Sequence, residues 1–161
     1  MKRILLLSGL LIILFTACKK QSFNDTRQAT IDELKIQAYI KANHIDSLTK
    51  DPSGLYYRIT TPASGAHPTV ADTIQAQYSG KLLNGTVFSP QTVGLVEMPD
   101  AIKGWQIALP LIGVGGNGTT IPFSRLRLIV PSALGYGSVA QSGIPANSVL
   151  DFTIDLIGFY N

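Results

Sequence analysis

Aromatic side chains beside turns and strand ends are the residues of this sequence whose types and spacing most suggest a binding site. Phe88 follows the pair Asn84-Gly85 and directly precedes Ser89 and Pro90. Asn-Gly is a strong signal for a two-residue type I′ hairpin, because both positions tolerate φ > 0. Pro90 is expected to break the strand and to release Phe88 from regular strand geometry. A large aromatic residue there either fills the core or forms one wall of an apolar pocket.

Four further aromatic residues occupy comparable positions. Tyr78 lies near a strand end, Trp105 in a short helical segment, Tyr136 in LGYGS and Phe152 in the last strand. Taken singly, each is explained by packing in a hydrophobic core. Taken together with the motifs around them, they favour an aromatic pocket.

The sequence shows no set of groups typical of nucleophilic or acid–base catalysis. Neither His44 nor His67 has a triad or metal-ligand motif around it, and both are expected to be solvated. The run GVGGNG, Gly113 to Gly118, lacks the Lys-Ser/Thr of a phosphate-binding loop and is expected to be a hairpin or an insertion. No metal and no cofactor is implied. An enzyme of this sequence would work without an obvious nucleophile or acid–base pair.

Alternating segments predict the strands that must position the aromatic residues. TIQAQYSGKLL, RLRLIVP and VLDFTIDLIGFY alternate apolar and polar residues, which predicts an antiparallel sheet with one solvated face carrying Asp151 and Asp155. DAIKGWQIALPL is the helical candidate that would cover the apolar face, with Ile102, Trp105 and Leu109 along one side. The expected fold class is therefore α+β, an antiparallel β-sheet wrapped around one short α-helix.

A helical extension is predicted N-terminal to the sheet, in TIDELKIQAYIKANHIDSLTK. Thr30 is the expected N-cap and Glu33 its capping-box partner. The apolar stripe is expected at Ile31, Leu34, Ala38 and Ile45. The turn-forming run DPSG, from Asp51, is expected to end the helix and to mark the start of the main domain. The helix would either pack on its own domain or pair with a second copy.

The first residues are typical of an export signal. MKR is a short basic region, and the apolar run from Ile4 to Phe15 is too short to span a bilayer. FTAC resembles the bacterial lipobox, in which the signal is cut before a cysteine that then carries acyl chains; here that residue is Cys18, the single cysteine. The alternative is an ordinary secretory signal followed by a free thiol. We expect a lipoprotein signal peptide at 1–17, a lipid-anchored tether and amphipathic helix at 18–52, and the main domain at 53–161.

Charge gives no support for nucleic-acid binding. The formal net charge is +3, but without Lys2 and Arg3 of the leader 11 basic residues face 10 acidic ones. No cluster of Lys and Arg with interleaved aromatics is present. The expected partners are therefore not nucleic acids.

Four motifs, in order, resemble the FKBP-type peptidyl-prolyl cis-trans isomerases: QYSGKLLNGTVF, AIKGWQIALPLI, RLRLIVPSALGYG and IPANSVLDFTIDLI. The resemblance covers about Ser53 to Tyr160, and the leader is similar to that of exported bacterial members. It implies an FKBP-like fold and a prolyl isomerase that assists the folding of exported proteins at the bacterial cell envelope. Its partners would be proline-containing segments of those proteins and, through Cys18, a membrane, on the periplasmic side or at the cell surface.

The resemblance also implies a pocket that receives a proline ring. Its residues would be Tyr78, Phe88, Ser89, Ala101, Ile102, Trp105, Tyr136, Ile144 and Phe152. In the family pattern Tyr78 and Phe88 are side walls and Trp105 is the floor. The resemblance also implies that the backbone N–H of Ile102 would face the substrate carbonyl and that the Tyr136 hydroxyl would be able to hydrogen-bond the substrate backbone.

Two departures from the family pattern leave other functions open. Ser89 stands where many members have Asp, and the segment between Leu109 and Arg125 is longer than expected. A neutral hydroxyl is a weaker electrostatic partner than a carboxylate. The alternatives are a non-catalytic FKBP-like chaperone or adaptor that binds proline-containing segments, and a structural lipoprotein subunit with a vestigial pocket.

Overall fold

The computed structural model describes residues 25–115 and 123–160. The predicted signal peptide, Cys18 and the later part of the glycine-rich run lie outside these residues. The described helices are α1, residues 25–42, and α2, Lys103–Ala108, with short 3₁₀ turns at Met98–Asp100, Leu109–Leu111 and Ser132–Leu134. In this part of the chain neither helix combines the length and the apolar character needed to cross a bilayer.

The strands form one sheet in the order β1-β2-β5-β6-β3-β4, with every neighbouring pair antiparallel. They are β1 Thr49–Lys50, β2 Tyr56–Thr61, β3 Thr73–Leu82, β4 Val87–Glu97, β5 Ser124–Val130 and β6 Leu150–Tyr160. The helix α2 packs on one face, where Trp105 and Ala108 join the main core cluster. The predicted α+β class, with a short helix covered by an antiparallel sheet and an N-terminal helical extension, is confirmed.

Close approach of α2 to the sheet depends on a residue without a side chain. A Cβ at Gly104 would lie 2.7 Å from Cγ1 of Val130 on β5. Real Cβ atoms do not make contacts this short, so the helix can reach the sheet only with glycine here. This contact places Trp105, the next residue, in the core with 5% of its surface exposed.

The face of α1 that packs on the sheet differs from the predicted stripe. Leu34 is 67% exposed, whereas Ile36 is fully buried in a second apolar cluster with Tyr56, Ile129 and Val149 on the other side of the sheet. The predicted apolar stripe was therefore wrong at Ile31, Leu34 and Ala38, which are all exposed. The inner face of α1 includes Asp32, which is 2% exposed. Because this buried position is polar, the helical period of the buried face cannot be recognised from the apolar residues alone. The helix packs on its own domain.

Both ends of α1 also differ from expectation. Thr30 lies inside the helix and its hydroxyl donates to the Thr26 carbonyl, so it is not an N-cap. The helix ends at residue 42, where Ile45 N–H donates to Ile40 O (3.0 Å). His44 follows the helix with φ +49° and is exposed, which is the left-handed ending typical of a Schellman motif. The sheet then begins with β1, before the predicted domain start at residue 53.

The outer face of the central strands is not the solvated surface that alternation predicted. Asp151 and Asp155 are only 3% and 5% exposed. Arg127 and Arg125 cover them with two-pronged hydrogen bonds at 2.6–3.2 Å, and the Tyr39 hydroxyl of α1 donates to Asp151 at 2.7 Å. Alternation predicted the direction of these carboxylates correctly, but it carries no information on what covers them.

The described part of the glycine-rich run pairs with the loop before β3. Val114 N–H donates to Ala66 O at 2.9 Å, and Gly65 N–H donates to Gly115 O at 3.1 Å. A Cβ at Gly65 would overlap the Val114 carbonyl oxygen, so this close pairing requires glycine. His67 of the same loop is exposed, as expected, with Nδ1 3.0 Å from the Pro110 carbonyl oxygen.

Candidate functional site

A cavity of about 450 Å³ opens between the sheet, the start of α2 and the loops around Tyr136 and Ile144. All nine residues that the sequence predicted for a pocket line this cavity. The structure therefore brings together segments that are far apart in the chain. Its size falls within the range of small-ligand sites, about 300–1,000 Å³.

Trp105 stands at the centre of the aromatic lining. Its ring centroid is 5.0 Å from that of Tyr78 and 5.5 Å from that of Phe152, with interplanar angles of 84° and 80°. Phe152 in turn meets Phe88 at 5.5 Å and 81°. Edge-to-face contacts of this kind are the favoured geometry for aromatic pairs. They hold the four rings in fixed orientations, which makes a shaped apolar surface.

The hairpin before Phe88 is longer than the predicted two-residue turn. Gly85 N–H donates to Leu82 O at 2.9 Å and Leu82 N–H donates to Thr86 O at 2.8 Å, so the connection covers residues 83–85. Gly85 has φ +90°, whereas Asn84 is not in the left-handed region. The type I′ prediction was wrong. The geometry is that of a three-residue loop with glycine at its left-handed position.

Pro90 does not end the strand, contrary to the prediction. It lies within β4, which is an edge strand, and an edge tolerates a residue without an N–H. The register pairs Tyr78 with Thr92, Gly80 with Ser89 and Lys81 with Val87. From each of these pairs to the next, β4 advances by one residue more than β3, so β4 contains two bulges. Phe88 is the extra residue of the second bulge. The bulge, rather than a strand end, directs Phe88 to the cavity.

Backbone groups at the start of α2 form one polar edge of the cavity. Ile102 precedes the first helical residue, and its carbonyl accepts from Trp105 N–H at 2.9 Å. Its own N–H has no acceptor among the described residues. The Gln106 amide donates to Ala101 O at 2.9 Å and to Pro99 O at 3.1 Å, which fixes the turn that precedes the helix.

The Tyr136 phenol forms a second polar edge of the cavity. Tyr136 is 38% exposed, and its hydroxyl makes no hydrogen bond within the described residues. Burial, followed by the nearby Tyr78 phenol, raises the pKa of Tyr136 above its ordinary value. The phenol therefore stays protonated at neutral pH and can donate a hydrogen bond. Ile144 is held beside it by a reciprocal pair of backbone hydrogen bonds with Gln141, at 2.9 and 3.0 Å.

One buried donor of the lining has no partner. The indole N–H of Trp105 makes no hydrogen bond to any described residue, although the side chain is buried. Together these groups make an apolar floor with N–H and O–H donors at its rim. Such a site can hold an apolar ring and donate hydrogen bonds to a peptide backbone, and the described residues that line it include no histidine, lysine or cysteine.

Sequence reasoning missed four residues of the lining: Val96, Asp100, Gln141 and Ser142. Val96 could have been identified from alternation, because it pairs with the buried Ile74 across the hairpin. Asp100 directly precedes the predicted Ala101. Gln141 and Ser142 lie in an irregular loop, where no periodic signal exists.

The family model described as FKBP-type peptidyl-prolyl cis-trans isomerase matches residues 65–157. The chain is 30% identical over 139 residues to the isomerase FkpA of Aeromonas hydrophila, covering 81% of this chain and 48% of that protein. It is 33% identical over 144 residues to the outer membrane protein MIP of Legionella longbeachae, covering 86% and 58%. The chain thus spans about half the length of the curated relatives it matches.

Two solved structures share the fold. A peptidyl-prolyl cis-trans isomerase from Pseudomonas syringae pv. tomato matches with a TM-score of 0.68 and 20% identity, over 84% of this chain and 95% of that one. FkpA from Escherichia coli matches with a TM-score of 0.67 and 24% identity, over 83% and 61%.

Proposed function

This chain belongs to the FKBP-type peptidyl-prolyl cis-trans isomerase family, and we propose that its aromatic cavity catalyses the cis–trans isomerisation of X–Pro bonds in protein segments. The observation that carries the proposal is the cluster of edge-to-face rings around Trp105 on a cavity of about 450 Å³. In this proposal the proline ring rests on Trp105, between Tyr78 and Phe88.

The proposed reaction needs no nucleophile and no proton transfer. Rotation about an X–Pro bond is opposed by roughly 18–20 kcal/mol of amide resonance and takes tens to hundreds of seconds unaided. Water stabilises the polar planar amide more than the twisted amide, whose charge separation is smaller. Trp105 and Phe152 are only 5% and 4% exposed, so the floor offers little water to the bound amide. A dry apolar site thereby favours the twisted transition state relative to the ground state.

Donors at the two edges of the cavity would orient the substrate. The Ile102 N–H is available to the carbonyl that precedes proline, and the Tyr136 hydroxyl to a second carbonyl of the substrate backbone. Both are neutral donors, each worth about 0.5–1.5 kcal/mol. They would fix which bond lies over Trp105 without supplying charge.

We propose that the substrates are exported proteins and that the site works at the bacterial cell envelope. The short basic and apolar leader supports export, and FTAC before Lys19 supports lipid attachment at Cys18. The bacterial relatives support an envelope location, since one of them is named as an outer membrane protein. Acyl chains on Cys18 would anchor the domain to a membrane without a spanning helix.

Exchange NMR on an Ala-Leu-Pro-Phe-type peptide tests the activity without a coupling protease. The chain from Lys19 to Asn161 is expected to accelerate cis–trans exchange, and Trp105→Ala is expected to remove most of the acceleration. Leu126→Ala is the matched control, because Leu126 is fully buried in the same core but does not line the cavity. Equal loss in both variants would attribute the loss to lowered stability and would contradict the assignment of the activity to Trp105. No acceleration by the wild-type chain would contradict the proposal itself.

Ser89 favours a second candidate, a non-catalytic module that binds proline-containing segments. Its hydroxyl lines the cavity where many family members carry a carboxylate. Under this alternative the peptide shifts the NMR signals of the lining residues, yet exchange between its cis and trans forms stays at the unaided rate. Acceleration by the wild-type chain would exclude it.

A further inference from the structure

The N-terminal helix carries a buried carboxylate that reaches the turn before Tyr136. Asp32 of α1 is 2% exposed. Its Oδ2 accepts from the backbone N–H of Ser132 at 2.8 Å and from the Ser132 hydroxyl at 2.6 Å. Its Oδ1 accepts from the Gln28 side-chain amide at 2.7 Å. Two of these three hydrogen bonds join parts of the chain that are 100 residues apart, and the third lies within α1.

Ser132 in turn fixes both neighbours of Tyr136. Its carbonyl oxygen accepts from Gly135 N–H at 3.0 Å and from Gly137 N–H at 2.8 Å. Gly137 adopts φ +59°, a conformation that makes this second bond possible just after Tyr136. Ser132 therefore binds the backbone on both sides of Tyr136, and Ser132 itself is held by Asp32.

These hydrogen bonds are made to a buried carboxylate. A hydrogen bond to a charged group is stronger than one between neutral groups, and removing one partner of a buried charge leaves the other unpaired. Attachment of α1 alone does not require them, since Ile36 packs in the apolar cluster and Tyr39 bonds Asp151 on β6. Asp32 is the contact of α1 that leads to the Tyr136 turn.

We propose that Asp32 is a positioning residue for the isomerase site: through Ser132 it holds the Tyr136 turn at the cavity edge, so that the N-terminal helix is part of the functional unit. This inference rests on the proposed function for its kinetic consequence. The coupling between Asp32 and Tyr136 is a property of the unliganded chain and can be measured without catalysis.

The kinetic test compares Asp32→Ala with Tyr39→Phe, which breaks another hydrogen bond of α1 at a place that does not lead to Tyr136. Asp32→Ala is expected to lower kcat/KM about three- to tenfold, the range for loss of one neutral hydrogen bond to substrate. Tyr39→Phe is expected to change it less than twofold. Equal losses in the two variants would mean that Asp32 only attaches the helix, and would overturn the proposal.

A double-mutant cycle with Tyr136→Phe gives the decisive result. If Asp32 acts through the Tyr136 hydroxyl, Asp32→Ala causes no further loss in the Tyr136→Phe background. The same three- to tenfold loss in that background would overturn the proposal. Should Asp32→Ala fail to fold, Ser132→Ala keeps the backbone N–H, removes one donor, and is expected to lower kcat/KM two- to threefold.

NMR of the unliganded chain separates this proposal from the proposed function. Asp32→Ala is expected to shift the ring signals of Tyr136 and the amide signals of Gly135 and Gly137, whereas Tyr39→Phe leaves them in place. If these shifts occur but the wild-type chain has no isomerase activity, the proposed function is rejected and the coupling between Asp32 and Tyr136 is still supported. Unchanged signals in Asp32→Ala would reject the coupling, whatever the activity.

Discussion

Gly80 and Phe88 approach so closely that a Cβ on Gly80 would lie 2.5 Å from two ring atoms of Phe88 and 2.8 Å from the ring of Phe152. Gly80 sits opposite Ser89, between the two bulges of the β3–β4 hairpin. Both phenylalanine rings line the cavity, so the absence of a side chain at position 80 determines where they stand. Gly80 is therefore a positioning residue. Its role could not be predicted from the motif QYSGKLL, in which it lies.

Gly80→Ala is expected to displace one or both rings and to weaken peptide binding. Overpacking of a well-packed site costs about 1–3 kcal/mol, so binding measured by NMR titration should weaken about fivefold or more. Gly94→Ala is the matched control, since Gly94 lies on the same hairpin and a Cβ there meets nothing within 4 Å. Unchanged affinity in Gly80→Ala would show that the rings relax without consequence.

Alternation of apolar and polar residues correctly predicted the strands, where the direction of each side chain follows from its position in the local sequence. The strand β6 alternates Leu150, Phe152 and Ile154 toward the core, and all three are buried as predicted. The aromatic lining was identified because a resemblance of four ordered motifs placed it in a known pattern. Together, local alternation and the order of the motifs predicted the sheet, the short helix and most residues of the cavity lining.

Long-range polar contacts account for what the sequence could not predict. Asp32 is buried because it meets Ser132. A helical wheel of α1 that counts only apolar residues therefore places Leu34 on the inner face, although Leu34 is exposed. Asp151 is covered by Tyr39 for the same kind of reason. Pro90 remains within a strand because β4 happens to be an edge, which depends on the order of all six strands. None of these partners is near in sequence.

Ser89→Asp is expected to raise isomerase activity. The Tyr78 hydroxyl lines the same cavity and has no hydrogen-bond partner among the described residues, and a carboxylate at position 89 would be a stronger acceptor for it than serine. A charge-assisted bond exceeds a neutral one by about 1 kcal/mol, so kcat/KM should rise about two- to fivefold in the exchange assay. Ser89→Ala is the control for loss of the hydroxyl. A fall in activity would indicate that repulsion from Asp100, on the same lining, dominates.

Replacing Cys18 is expected to release the protein from membranes. A thiol is required for acyl attachment, and one or more buried chains at about 0.8 kcal/mol per CH₂ supply the anchoring energy. In a bacterial host, Cys18→Ala should move the protein from the membrane to the soluble fraction and abolish incorporation of labelled fatty acid. Ser22→Ala in the same segment is the control. Membrane association that persists in Cys18→Ala without label would support an uncleaved export signal as the anchor.

The hydrogen bond between Tyr39 and Asp151 is expected to make stability fall at high pH. Burial, followed by the hydrogen bond to the Asp151 carboxylate, raises the pKa of Tyr39 to about 12 from an ordinary value near 10. The contribution of this bond is complete below about pH 10, where the phenol is protonated in both the folded and the unfolded chain. As pH rises from 10 toward 12, the unfolded chain loses the proton first, so the free energy of unfolding decreases.

Urea unfolding of the wild type and of Tyr39→Phe from pH 8 to pH 12 measures this effect. The difference in unfolding free energy between the two should be constant up to about pH 10 and should then shrink, because the variant has no phenol to titrate at this site. An absorbance titration at 295 nm should show one fewer tyrosine ionising at high pH in the folded variant. A difference that stays constant through pH 12 would mean that Tyr39 ionises alike in both states, and that its bond to Asp151 does not hold α1 against the sheet.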